Sequence, residues 1–124
     1  MDEKDWYDVD VITCAAPNLR ERPSNRFNQN NGDHAVKVSD KELFEIHKKR
    51  LTRILDVAAL NNAEVVILGA FGCGAFQNKP EVVSRAAKEV ITEYLHVFKT
   101  IEFAVYCSPR DDTNFRVFKR VLGM

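Results

Sequence analysis

The sequence carries no excess of either charge: 18 Lys and Arg balance 18 Asp and Glu. No summed field draws such a chain to nucleic acid or to an anionic membrane, so neither is expected as a partner. It has no apolar run near the roughly 20 residues that span a bilayer. The acidic start Met1, Asp2, Glu3 opposes a signal peptide, so the expectation is a cytoplasmic protein. Cysteine is scarce: Cys14, Cys73 and Cys107 are odd in number, widely spaced and without a C-x-x-C, which argues against a disulfide framework and a zinc site. His34, His47 and His96 share no ligand spacing. They are expected at the surface or at helix edges, with no metal and no cofactor. Repeats and low-complexity stretches are absent too. What remains is 124 residues with 45% hydrophobic content, enough for one domain around a single core.

The elements alternate along the chain. The β-branched run over 9–13 predicts a strand. Residues 19–39 follow with no hydrophobic period; Pro23, Asn28 to Asn31 and Gly32 favour turns, giving a long irregular loop of the kind that is usually functional or mobile. Ser39 caps a helix, with Glu42 completing a capping box. Leu43, Ile46, Leu51, Ile54, Leu55 and Ala58 keep helical spacing to about residue 61. A second strand covers 65–68. Pro80 suits the first position of a second helix, whose buried face is marked by Val83, Ala86, Ala87, Val90, Ile91 and Phe98. A third strand is predicted over 101–106, and a last helix follows Asp111 and Asp112, with Phe115, Phe118 and Leu122 one above another. The order predicts an α/β fold with a mainly parallel sheet of about three strands and flanking helices. Three strands are few for a sheet that needs both faces covered, so the domain over 1–124 is expected to be incomplete.

Three of the five glycines fall within six residues, Gly69, Gly72 and Gly74, directly after the apolar run at 65–68. A buried strand that delivers a glycine-rich turn toward a helix start is how α/β folds present backbone N–H groups to phosphate. The spacing is neither a P-loop, since no Gly-Lys-Ser/Thr follows, nor the dinucleotide fingerprint. Two readings stay open on these residues alone: phosphate binding, and a tight strand-to-helix connection. Other residues draw plainer readings. Cys73 is a small side chain in a crowded turn rather than a nucleophile with a helix-lowered pKa. Cys14 and Cys107 are buried fillers at strand ends. His47, Lys48, Lys49 and Arg50 form the solvated side of their helix. Arg20, Arg22 and Arg26 are better placed for an anion, in the loop after Asn18. Trp6 and Tyr7 cover the sheet edge or fray.

Two motifs carry a family resemblance. Residues 9–18 read Val-Asp-Val-Ile-Thr-Cys-Ala-Ala-Pro-Asn, and residues 68–80 read Leu-Gly-Ala-Phe-Gly-Cys-Gly-Ala-Phe-Gln-Asn-Lys-Pro. With the capped helix containing Arg53, Ile54 and Leu55 between them, they resemble the C-terminal half of the microbial-type poly(ADP-ribose) glycohydrolases, of the macrodomain superfamily. The resemblance runs in order from about Asp8 to the end. It implies a partial macrodomain-like fold, and ADP-ribose or an ADP-ribosylated protein as partner. It implies a diphosphate-binding loop made of Gly72, Cys73, Gly74, Ala75 and Phe76, with Phe76 against the distal ribose. Asn18, Phe71 and Phe115 are the further ligand-binding residues it implies, Phe115 from the 106–115 segment on the adenine side of the cleft.

Catalytic members of that family carry a Gly-Gly-Gly run followed by Gln-Glu-Glu, ahead of the Ala-Ala-Pro-Asn strand. This sequence has no Gly-Gly and no Glu-Glu pair. Glycosidic cleavage needs a carboxyl group to protonate the leaving oxygen. Glu42 and Glu45 read as a solvated helix face and Asp111 and Asp112 as capping residues, so no catalytic residue is assigned. Three functions follow from different classes: part of an ADP-ribosyl glycohydrolase truncated of its acid motif, a stand-alone ADP-ribose or nucleotide-binding module, or a piece that folds only with a partner. Strands left without neighbours imply self-association through exposed sheet edges.

Overall fold

The computed structural model describes residues 8–19, 37–74 and 76–123. Five elements follow in order: α1 (Asp40–Leu60), β1 (Val65–Leu68), α2 (Pro80–Tyr94), β2 (Thr100–Phe103) and α3 (Thr113–Leu122). The start of α1 is the capping box its sequence predicts. The Glu42 amide donates to Ser39 Oγ at 3.1 Å, and the Glu42 carboxylate accepts from the Ser39 amide. Its end is equally chemical. Asn62 sits at φ 60°, where the Asn62 amide reaches the Ala59 carbonyl and the Ala63 amide reaches that of Ala58. That pair of bonds is a Schellman stop, with asparagine in the left-handed position glycine usually holds. Pro80 is the first residue of α2, where a missing N–H costs nothing.

β1 and β2 pair in parallel, Val65 opposite Thr100 through Leu68 opposite Phe103, with α2 as the crossover between them. Leu55 and Ala58 of α1, Val90 of α2, Phe98, and Val66 and Leu68 of β1 form the main buried cluster. A second cluster joins Cys73, Val83 and Phe118, which brings α3 over the segment that follows β1. Among the described residues no helix is long and apolar enough to cross a membrane.

The α/β class and the parallel pairing agree with the sequence expectation, but the sheet has two strands among the described residues rather than about three. Residues 9–13 have no regular structure; Val9 and Val11 are exposed. β-branched residues favour a strand, yet a strand exists only with a ladder partner. Here a cavity of about 900 Å³ separates residues 8–12 and Cys14 from β1, and it is also lined by Leu51, Val83, Phe103 and Phe118. The strand expected at 101–106 closes early because its partner does: the Ala104 amide still donates to the Leu68 carbonyl, and past it Tyr106 is exposed. Within 19–39, residues 20–36 lie outside the described part, and with them Arg20, Arg22, Arg26 and His34. Trp6 and Tyr7 also lie outside it.

The run Val65-Val66-Ile67-Leu68 is apolar at every position, as in parallel strands covered on both faces. Among the described residues, only one face is covered. Val66 and Leu68 are buried, whereas Val65 is 50% and Ile67 65% exposed.

Candidate functional site

The glycine loop leaves the C-terminal end of β1 and folds on itself through short backbone bonds. The Cys73 amide donates to the Ala70 carbonyl at 3.0 Å, the Gln77 amide to that of Gly74 at 3.0 Å, and the Asn78 amide to that of Gly72 at 2.8 Å. Gly72 is the residue this path cannot replace. It sits at φ +77°, and a Cβ there would lie 2.6 Å from the Ala16 methyl and 2.8 Å from Asn78 Nδ2. Gly74 is different in kind: a Cβ there would meet nothing within 4 Å. One glycine is demanded by the protein's own packing and the other faces open space. Among the described residues, the Gly72 and Gly74 amides have no backbone acceptor.

Segment 15–19 runs beside the loop and is tied to it. The Leu19 amide donates to the Phe76 carbonyl at 2.9 Å, and Asn78 Nδ2 donates to the Pro17 carbonyl at 2.8 Å. From α1, Arg50 Nη1 donates to the Ala15 carbonyl at 2.7 Å. From α3, Asn114 Nδ2 donates to the Cys73 carbonyl at 3.3 Å. The structure thus brings the predicted residues of both motifs to one end of the sheet. Gly72, Cys73, Gly74 and Phe76 form the loop, with Asn18 beside it. Phe71 packs edge-on to the His47 ring at 5.5 Å. Phe115 neighbours Asn114 on α3, one turn before Phe118; it is 44% exposed where Phe118 is buried. Ala75 lies outside the described residues.

Two side chains central to this arrangement, His47 and Asn78, were not among those singled out as ligands. His47 was expected at the surface with Lys48, Lys49 and Arg50; instead it is 2% exposed. Its Nε2 lies 2.7 Å from Asn78 Oδ1, across 31 residues of sequence. Burial lowers the His47 pKa from 6.5, the bond to Asn78 opposes that shift, and the Arg50 charge adds to it. A signal was available. Leu43, His47, Leu51 and Leu55 recur every four residues, so His47 stands in the apolar stripe of α1. A polar group there needs a partner.

Burial pushes the Cys73 thiol up to about 12, so it stays protonated and fills space. This supports the small-residue reading over a thiolate nucleophile. Cys14 corrects the filler reading, being exposed because the strand that was to bury it does not form, and Cys107 is only half-buried. Lys48 is not simply solvated either: it pairs with Glu89 of α2 at 2.7 Å. The Asp111 carboxylate accepts from the Thr113 amide and hydroxyl, which holds its pKa below the usual value. Asp112 stands at the N-cap of α3 and pairs with Arg116 at 2.8 Å. Only Asp111 bonds the first turn; the Asp112 side chain makes no capping bond, which corrects its expected role, and it is held by Arg116 instead. Among the described residues no group of three or more His, Cys, Asp or Glu is placed to hold a metal ion.

No family model matches the chain, and no curated protein does. Solved structures do. Poly(ADP-ribose) glycohydrolase from Deinococcus radiodurans in complex with ADP-ribose is 32% identical, over 67% of this chain and 34% of that one, with a TM-score of 0.62. A point-mutant form of it with ADP-ribose is 29% identical over 86% of this chain and 40% of that one, with a TM-score of 0.66. The chain therefore spans about a third to two fifths of the length of the structures it matches. By sequence and by fold together, it is a relative of the microbial-type poly(ADP-ribose) glycohydrolases of the macrodomain superfamily, over a partial region of their fold.

Proposed function

We propose that this chain carries the diphosphate-binding loop of an ADP-ribose site, formed by residues 72–76, and that these 124 residues alone do not hydrolyse the glycosidic bond. The observation that carries the reading is the contrast between the two glycines. Gly72 is explained by internal packing, but Gly74 is not: nothing lies within 4 Å of where its side chain would be. Open space beside loop amides is what a close-approaching anion requires. The Cys73 amide is already committed to Ala70, so the Gly72 and Gly74 amides are the donors assigned to the diphosphate. The similar solved structures hold ADP-ribose, which makes that nucleotide the probe of choice.

The reading gives hydrolysis no acid. Asp111 and Asp112 are engaged at the start of α3, and Glu42 closes the cap of α1. Without general acid help a glycosidic oxygen leaves about 10²–10⁴ times more slowly. Release of ADP-ribose from modified protein by this chain should match the enzyme-free blank. If the chain hydrolyses poly(ADP-ribose), and changing Asp111 or Asp112 stops it, the reading of Asp111 as bound to Thr113 and Asp112 as bound to Arg116, with no part in catalysis, is wrong. Binding is tested by calorimetry with ADP-ribose, where a weak one-to-one heat is expected.

Self-association belongs to the same reading. Val65 and Ile67 expose apolar surface on the uncovered face of a parallel sheet, and the cavity beside β1 leaves its outer edge open among the described residues. Sedimentation should show species heavier than the 14.2 kDa chain.

A further inference from the structure

The orientation of Asn78 follows from its surroundings. Its Nδ2 lies 2.8 Å from the Pro17 carbonyl, 2.9 Å from that of Gly72 and 3.3 Å from that of Phe76. Carbonyl oxygens only accept, so the amide nitrogen must face them. Oδ1 is then turned to His47 Nε2, and that nitrogen must donate. The neutral ring that burial favours therefore carries its hydrogen on Nε2. The residues around the ring are accounted for. Phe71 lies edge-on to it from the loop, and Arg50, one turn along α1, engages the Ala15 carbonyl.

We propose that His47 is the positioning residue of the glycine loop: its Nε2–H holds Asn78 so that both amide hydrogens serve the loop and Pro17, and this sets how Gly72 and Gly74 present their amides. The proposal rests on the reading of residues 72–76 as a diphosphate site. The local bonds support it. Without a donor at position 47, the buried Asn78 oxygen loses its partner, and the amide regains one only by shifting from the place where it holds the three carbonyls. Gly72 packs directly against Asn78, so a rotated amide disturbs the one position with no room to adjust. The helix thereby sets a loop 31 residues away through one hydrogen bond.

The test uses the full chain with His47→Gln, whose amide nitrogen donates from nearly the same place, and His47→Phe, which fills the volume without donating. ADP-ribose binding measured by calorimetry should weaken at least about tenfold in His47→Phe and stay within about threefold in His47→Gln. Amide hydrogen exchange at Cys73, Gln77 and Asn78 should speed up in His47→Phe more than at Ala104, which reports the strand ladder. In the unaltered chain, the ring nitrogen spectrum should show a neutral imidazole protonated at Nε2. A ring protonated at Nδ1, or equal acceleration at the loop and at Ala104, overturns the proposal. Equal losses in the Gln and Phe variants do so as well. If the unaltered chain gives no heat with ADP-ribose, the diphosphate reading fails, while exchange and tautomer still decide whether His47 sets the loop. If His47→Phe does not fold, His47→Gln and the ring spectrum decide it.

Discussion

At the scale of single residues, the two loop glycines separate stability from binding. Gly72→Ala forces a side chain into a left-handed backbone and onto Ala16. The backbone strain alone costs about 1–3 kcal/mol, which urea unfolding should register. Gly74→Ala adds a methyl to open space and should leave the unfolding midpoint where it was. The sequence marks both glycines alike, because spacing does not say which one the protein's own atoms crowd. His47 shows the same limit. Its place in the apolar stripe of α1 was legible, but its partner Asn78 is not deducible from local pattern. Its pH effect has a definite sign. The folded state lowers the His47 pKa below 6.5, so the unfolded chain binds that proton more readily. The stability is complete above about pH 6.5 and is lost as the pH falls from there through the folded value. Urea midpoints at about pH 7.5 and about pH 5 should fall in the unaltered chain by more than in His47→Gln. Equal falls contradict this assignment. Cysteine labelling makes a parallel check: exposed Cys14 should alkylate readily, and Cys73, buried with its thiol raised to about 12, should react only on unfolding.

Elements whose signals are local were readable, and those that depend on a distant partner were not. The start of α1 is written in Ser39 and Glu42, and Ser39→Ala should cost about 1 kcal/mol of stability. Pro80 likewise marks the start of α2. β1 was legible because four consecutive apolar residues precede a glycine-rich turn. The run at 9–13 has the same chemistry as β1, yet forms no strand among the described residues, since nothing in a β-branched run supplies the neighbour a ladder needs. The helices are held together chiefly by burial. Leu55 is fully buried between α1, β1 and α2, so Leu55→Ala should cost about 2–5 kcal/mol. Lys48→Ala breaks only a partly exposed ion pair with Glu89 and should cost far less than Leu55→Ala. A larger loss for Lys48→Ala than for Leu55→Ala would contradict this ordering.

At the scale of the whole molecule, a sheet of two described strands carries a loop that its neighbours hold from three sides: segment 15–19, α1 and α3. The motifs announced that the loop was special, and the fold explains how residues from positions 15 to 114 meet at it. The central claim is that this loop holds a diphosphate through its backbone. The most direct measurement is calorimetric titration of ADP-ribose into the full chain, beside Gly74→Val and a Lys48→Ala, Lys49→Ala pair. The account predicts a weak one-to-one heat that Gly74→Val abolishes by filling the open space, and that the lysine variant keeps, because backbone amides rather than surface charge hold the ligand. No heat with the unaltered chain, or binding that survives Gly74→Val and disappears with the lysines, would contradict it.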